Sequence, residues 1–101
     1  MEAKTMTQHE LKINERFFDA VNNGIKTFEI RKYDRDYKVG DTLRMVCVDD
    51  NRDVVTVPNY KEGKENVPLR IYACINYILT HEDFPAGIPE GYCVMAIKRT
   101  G

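Results

Sequence analysis

Tryptophan is absent from this chain of 101 residues, and cysteine and histidine are scarce. The three cysteines, Cys47, Cys74 and Cys93, are widely separated, and no two of them form the C-x-x-C pair that is typical of a zinc site. The two histidines, His9 and His81, are far apart in the sequence, so we expect no metal and no cofactor. We interpret the cysteines as small buried hydrophobic residues of a protein in a reducing compartment, where disulfides are rare.

A strong net charge and a long apolar run are also missing. Fifteen basic residues nearly balance sixteen acidic ones, for a net charge of −1, so the chain lacks the overall positive charge of a basic nucleic-acid-binding module. The longest apolar run, residues 92–97, is far shorter than the roughly 20 residues of a membrane-spanning helix. The polar N-terminus lacks the apolar centre of a signal peptide. These absences predict a soluble, cytoplasmic protein without a membrane partner.

The region from residue 24 to residue 41, GIKTFEIRKYDRDYKVGD, is the most informative part of the sequence. Between residues 26 and 38, five lysines and arginines stand against three acidic residues, a local excess of two positive charges. Such an excess favours a phosphate ligand. The same charges are equally consistent with an exposed edge strand, whose charged side chains prevent aggregation with other chains.

The predicted strand in this region has a short apolar alternation. Phe28 and Ile30 are expected to face inward, and because strand side chains alternate, Thr27, Glu29 and Arg31 must share the opposite face. A structural strand does not need a face of mixed charges, so we interpret that face as a candidate site.

Hydrophobic periodicity predicts one helix and about six short strands. Asn14 offers an N-cap and Gly24 suits the left-handed position after a helix end, so the helix is predicted over residues 15–23. The predicted strands cover residues 9–13, 27–32, 42–48, 54–57, 69–79 and 92–98, and the predicted loops cover residues 58–68 and 84–91. This pattern favours a mainly β fold of the α+β class with one or two helices, a small β-barrel with a helix closing one end. Residues 1–8 are expected to form a flexible lead-in, and residues 9–101 a single domain.

Several of these features together resemble one known family. HELKI at residues 9–13, the helix that ends at Gly24, the G-x-K-T-x-E-x-R motif at residues 24–31 and the Val39-Gly40-Asp41 turn are similar to ASCH domains of the PUA-like superfamily, in a small bacterial and phage branch of unknown function. The resemblance implies a PUA-like barrel with a cleft beside the first helix, in which members bind RNA or nucleotide-like ligands. Some small bacterial relatives resemble amidohydrolases that deacetylate a modified cytidine with a Lys, Thr and Glu set. Lys26 matches that lysine, and Glu29 stands where the threonine would align.

The candidate ligand-binding residues are those that could converge in such a cleft: Lys12, Lys26, Thr27, Glu29, Arg31, Arg35 and Tyr77. Lysine and arginine suit phosphate, a glutamate can accept hydrogen bonds from a base, and a tyrosine can stack on one. His9 could transfer protons, although a lone histidine at a strand start is more often structural.

Three hypotheses follow for the function. The first is an RNA-binding or nucleotide-binding domain that uses the charged cleft. The second is a small amidohydrolase acting on a modified nucleoside of the acetylated-cytidine type, with Lys26 and Glu29 as catalytic residues. The third is a regulatory domain that binds a protein through the loop at residues 58–68.

Overall fold

The computed structural model describes residues 6–59 and 64–100. Within these ranges the chain forms seven strands and one helix. In chain order they are β1 (Gln8–Asn14), α1 (Glu15–Asn22), β2 (Phe28–Lys32), β3 (Thr42–Val48), β4 (Thr56–Asn59), β5 (Lys64–Pro68), β6 (Arg70–Thr80) and β7 (Tyr92–Arg99). The predicted mainly β fold with a helix is confirmed. No helix in the described ranges has the length and apolar content needed to cross a bilayer.

Five of the strands form one mixed sheet in the order β1-β3-β6-β7-β2. Strand β1 runs parallel to β3, and the other neighbouring pairs are antiparallel. The sheet curls into a half-barrel, and its two edge strands are β1 and β2. We call the side of this sheet that packs on the core its inner face, and the opposite side its outer face.

The single described helix begins as the sequence predicts. The Asn14 side chain accepts a hydrogen bond from the Arg16 amide at 2.9 Å, which caps the first turn. The helix ends at Asn22, and Gly24 follows with a φ of +72°, a conformation that glycine adopts without steric cost. Phe18 and Val21 are buried, so α1 packs its apolar side on the sheet.

The core lies on the inner face of the half-barrel. It combines one side of β1, β3, β6 and β7 with the buried side of the helix, and its members are Leu11, Ile13, Phe18, Val21, Tyr37, Leu43, Met45, Cys47, Ile71, Ala73, Ile75, Cys93, Met95 and Ile97. Two of the cysteines, Cys47 and Cys93, are buried here as predicted, and Cys74 is half-buried.

The predicted orientation of β2 is wrong. Phe28 and Ile30 are 46% and 59% exposed, whereas Glu29 is buried at 4%. The antiparallel register explains the reversal, because Glu29 lies opposite Met95, a core residue, and must share its inner face. The prediction that Glu29 and Arg31 lie on the same side of the strand agrees with the structure.

The predicted loop at residues 58–68 is also wrong. Most of it belongs to β4 and β5, which pair in a separate two-stranded sheet with Thr56 opposite Pro68. Both strands of such a sheet are edge strands, where proline is tolerated because it needs no amide partner. Residues 60–63 lie outside the described residues, as do residues 1–5 of the predicted lead-in. The hypothesis that this segment binds a protein stays a prediction.

Candidate functional site

Arginine side chains span the gap between the two edge strands of the half-barrel. Arg31 on β2 donates from Nη2 to the backbone carbonyl of Lys12 on β1 at 2.8 Å. Arg35, which follows β2, donates from Nη1 to the carbonyl of Glu10 at 3.2 Å. Side chains reach further than a backbone ladder, so β1 and β2 stand apart and a cleft remains between them.

A charged cluster of three side chains, which we call the triad of Lys26, Glu29 and Arg31, lies at this cleft. Lys26 Nζ is 2.5 Å from Glu29 Oε1, and Arg31 Nε is 2.9 Å from Glu29 Oε2. Lys26 Nζ also donates to the carbonyl of Phe28 at 2.6 Å. Burial of a carboxylate is costly unless it is paired, and here both oxygens of Glu29 have a cationic partner. The two cations share one anion, so the triad carries one excess positive charge.

The exposure of the three side chains differs in a way that matters for binding. The Glu29 side chain is 5% exposed, whereas those of Lys26 and Arg31 are 18% and 24% exposed. The carboxylate therefore holds the two cations from beneath, and their remaining donors are accessible to a ligand. This is a pre-organised pair of cations, whose side-chain freedom is already reduced before a ligand arrives.

A cavity of about 520 Å³ opens beside the triad. Residues of β1, α1, β2 and the segment between α1 and β2 line it, namely Lys12, Asn14, Phe17, Lys26, Phe28, Glu29, Ile30 and Arg31. Its size falls within the range of small-molecule sites, and it combines apolar walls with a few polar groups as such sites do. The Lys26 ammonium is 4.8 Å from the Phe28 ring centroid and 5.7 Å from that of Phe17, so it contacts two aromatic faces.

The structure brings four of the seven candidate site residues together and separates the other three. Lys12, Lys26, Glu29 and Arg31 line one cavity. Arg35 lines the neighbouring cavity of about 470 Å³, which Arg31 also contacts. The side chain of Thr27 is exposed and is not among the lining residues, and its carbonyl accepts a sheet hydrogen bond from the Ile97 amide at 2.9 Å.

Tyr77 does not lie at the cleft, contrary to the prediction. The β6–β7 register shifts between Ile75 and Tyr77, so that Tyr77 lies opposite the exposed Ala96 and the next residue, Ile78, lies opposite the buried Met95. An extra residue in a strand moves every following side chain to the other face. Tyr77 is 62% exposed on the outer face as a result.

Comparison with known proteins places this chain in a family. A family model described as "Domain of unknown function (DUF3850)" matches residues 8–97, which is most of the chain and includes every residue of the triad. The chain belongs to the DUF3850 family. It is also 51% identical over 35 residues to a protein of Escherichia phage P2 named "Uncharacterized 12.9 kDa protein in GpA 3'region". That match spans 35% of the chain and about a third (32%) of the phage protein's length.

Sequence reasoning missed the aromatic walls of the cleft in this DUF3850 domain. Phe17 is 41% exposed and lines the cavity, while Phe18 takes the buried position on the helix. Phe28 was expected to face the core. The signal that could have found both is their position on either side of a lysine that follows a helix end, since aromatic faces attract cations.

A larger cavity of about 590 Å³ at the start of α1 has a different character. Three carboxylates, those of Glu15, Asp19 and Asp50, line it against one cation, Arg16. Cys47 also lines it, but burial, together with nearby carboxylates, raises the pKa of its thiol, which disfavours the reactive thiolate. The balance of charge makes this cavity a poor site for an anion. In the described residues no group of three or more side chains is arranged to hold a metal ion.

His9 belongs to a buried polar cluster that includes no residue of the triad. Its Nε2 is 2.8 Å from Asp41 Oδ2, and its ring packs edge-on against Tyr37 at 4.8 Å between centroids. Asp41 also accepts hydrogen bonds from the amides of Thr7 and Lys38. Burial by itself raises the pKa of Asp41, but these hydrogen bonds outweigh it and lower the pKa below its ordinary value. The cluster fixes the turn before β3, which agrees with a structural role for His9.

Proposed function

We propose that this DUF3850 domain binds a nucleotide, or a nucleotide within single-stranded RNA, in the cleft between β1 and β2. The observation that carries the proposal is the triad, in which one buried carboxylate presents two partly exposed cations to an aromatic-walled cavity. A nucleotide has the matching chemistry, because its phosphate is anionic and its base is a flat ring. The similarity of residues 24–31 to the ASCH motif supports the same ligand class.

The charges of the cleft favour a phosphate. Lys12 adds a second positive charge to the one that the triad carries in excess. Arg31 offers a planar set of donors suited to two phosphate oxygens, and Lys26 acts as a point charge. Arg31 Nη2 is held by the Lys12 carbonyl and by Glu29 Oε2 at 2.9 Å, so a phosphate would meet a guanidinium of fixed orientation.

The apolar walls favour a base beside that phosphate. Phe17 and Phe28 expose their rings and line the cavity together. Stacking of a base on an aromatic side chain contributes about 1–3 kcal/mol and tolerates any base. The carboxylate of Glu29 already accepts from two cations but retains lone pairs, so it can accept a further hydrogen bond from an amino group at the cavity surface.

Calorimetric titration with adenosine and cytidine 5′-monophosphates tests the proposal directly. Arg31→Lys keeps the charge but loses the planar fork, and we expect it to weaken binding by about tenfold. Lys12→Gln should weaken binding less and should reduce its salt dependence. Lys38→Gln is the matched control, since Lys38 is 69% exposed and pairs with Asp36 away from the cleft. Equal affinities for Arg31→Lys, Lys12→Gln and the control would overturn the assignment of the cleft.

Hydrolysis of a modified nucleoside is the second candidate function. The direct contact between Lys26 Nζ and Glu29 Oε1 supports it, because a lysine beside a carboxylate at a cavity can serve in acid–base catalysis. Two further contacts count against it, because Arg31 also pairs with the Glu29 carboxylate and the Phe28 carbonyl also accepts from the Lys26 ammonium. Incubation with N4-acetylcytidine should then release acetate with the wild-type protein and not with Lys26→Ala. Absence of turnover by the wild type would remove this candidate for that substrate.

A further inference from the structure

Two rows of exposed apolar side chains cross the outer face of β6, β7 and β2. The strand registers place their members side by side, Tyr77–Ala96–Phe28 in one row and Leu79–Val94–Ile30 in the next. Four of the six are large and well exposed, with fractions of 62% for Tyr77, 59% for Ile30, 46% for Phe28 and 38% for Leu79. Single exposed apolar residues are normal, but a contiguous patch of this kind marks an interaction site. We call these six residues the outer rows.

Within the three strands, the charged side chains that share the outer face with these rows are lysines. Lys32 and Lys98 continue the same face at opposite ends of the rows, because each lies two residues along its strand from a row member. Lys26 contacts the Phe28 ring. Across residues 28–32, 77–80 and 92–99 the one acidic residue is Glu29, and its carboxylate faces the inner side. Two carboxylates, those of Glu82 and Glu90, lie beyond the strands, beside Thr80 and Tyr92 near the Lys32 end of the rows. The strand surface itself combines aromatic rings with bordering lysines, which is complementary to a polyanion that carries flat apolar groups.

The outer rows are also continuous with the cleft. Phe28 and Ile30 belong to the rows and line the 520 Å³ cavity as well. Phe28 and Tyr77 stand two strands apart, roughly 10 Å at the usual spacing of neighbouring strands. A chain that leaves the cleft past Phe28 would therefore meet Tyr77 next on the same surface.

We propose that the outer rows form a stacking platform for single-stranded RNA whose adjoining nucleotide occupies the cleft, an inference that rests on the proposed function. Bases stack on Phe28 and Tyr77, and the phosphates between them approach Lys26, Lys32 and Lys98. Exposed aromatic residues on a sheet are a general means of holding two or three unpaired bases. The bordering lysines favour RNA over a protein partner. A protein could bind the apolar rows through exclusion of water alone, whereas RNA also needs cations for its phosphates.

The experiment compares ligands of two lengths by fluorescence anisotropy and calorimetry. The long ligand is a fluorescein-labelled single-stranded RNA of about eight nucleotides, within the range that small binding domains cover, and the short one is adenosine 5′-monophosphate. We expect Tyr77→Ala to weaken RNA binding about tenfold and to leave the mononucleotide affinity unchanged. Tyr77→Phe should restore RNA binding, because stacking needs the ring and not the hydroxyl group. Phe84→Ala is the control, since Phe84 is 56% exposed but belongs to the loop after β6.

Salt dependence gives an independent measurement. Lys32→Gln and Lys98→Gln should each reduce the slope of log affinity for RNA against log salt by about 0.7, the value for one contact with a single-stranded phosphate. The mononucleotide slope should not change in either variant.

The outcomes separate this inference from the function on which it rests. RNA that binds no more tightly than the mononucleotide, with no effect of Tyr77→Ala, overturns the platform and leaves the cleft assignment standing. RNA binding that depends on Tyr77, with no mononucleotide binding, supports the platform and overturns the cleft. Binding of neither ligand overturns both. Self-association that Tyr77→Ala abolishes, without RNA binding, identifies the outer rows as a protein interface and overturns the platform.

Discussion

The guanidinium of Arg31 donates to the backbone carbonyl of Lys12 at 2.8 Å and so joins the two edge strands of the half-barrel. The same side chain contacts Glu29 through Nε at 2.9 Å. Arg31 therefore connects strand β1, across the cleft, to the buried carboxylate of the triad. Because the structure depends on this connection and the proposed ligand uses it, stability and binding should respond together when the triad changes.

Neutralisation of the buried carboxylate tests the structural part of that statement. Glu29→Gln keeps the size of the side chain but removes the charge that holds Lys26 and Arg31. We expect the free energy of unfolding to fall by about 1–3 kcal/mol, less than for a fully buried pair because both cations can regain water. Urea denaturation at neutral pH measures the change.

Glu10→Gln is the matched control for that substitution. Glu10 also pairs with an arginine at 2.9 Å, in this case Arg44, but its side chain is 67% exposed. Exposed ion pairs contribute about 0–1 kcal/mol, so the control should change stability little. Equal losses in the two variants would contradict the view that burial sets the importance of the triad.

The orientation of β2 gives a second prediction. Ile30→Thr should change the free energy of unfolding by no more than roughly 0.5 kcal/mol, because Ile30 is 59% exposed. Met95→Ala, one strand away on the inner face, should cost about 2–5 kcal/mol, because Met95 is fully buried. Thermal or urea unfolding of both variants checks the contrast. A large fall in the free energy of unfolding for Ile30→Thr would contradict the exposed position and support the inward orientation predicted from the sequence.

The wrong predictions for the orientation of β2 and for the position of Tyr77 have a common physical origin. Alternation along a strand predicts which residues share a face but not which face packs on the core, and in β2 that choice depends on the pairing of Glu29 with Met95 in another strand. In β6 the register shift after Ile75 moves Tyr77 outward. Both depend on long-range pairing, which a single strand sequence does not contain.

Local signals, in contrast, were read correctly. The Asn14 cap and the Gly24 stop depend on neighbouring residues alone, and both lie where the sequence predicts them. The proximity of Glu29 and Arg31 was also predictable, since a spacing of two keeps both on one face of a strand. Spacing alone does not explain the contact of Lys26 with Glu29, because Lys26 precedes β2 and lies outside its alternation. The aromatic walls of the cavity were not predictable, because Phe17 and Phe28 belong to a helix and a strand that only the tertiary structure brings together.

Thiol accessibility gives a third prediction. Burial raises the pKa of the Cys47 and Cys93 thiols, so both should resist modification in the folded protein. Cys74 is half-buried and should react first with Ellman's reagent at about pH 8, where thiolates form. Cys74→Ser should remove most of the reaction of the native protein, and full reaction of Cys47 and Cys93 should require denaturant. Rapid labelling that persists in Cys74→Ser would contradict the buried placement of the other two.

The buried contact between His9 and Asp41 gives the last prediction, a dependence of stability on acid. Burial raises the pKa of Asp41, but hydrogen bonds from His9 and from the amides of Thr7 and Lys38 lower it overall to below its ordinary value of 3.8. A carboxyl group with a lowered pKa in the folded state stabilises the protein above its unfolded pKa, and that contribution disappears as the pH falls through the folded value. Asp41→Asn should therefore be less stable than the wild type at neutral pH, and the two urea midpoints should converge as the pH falls below about 3.8. Asp36→Asn, at an exposed carboxylate, should follow the wild-type profile. Parallel profiles for wild type and Asp41→Asn over the acid range would show that Asp41 does not contribute through its charge.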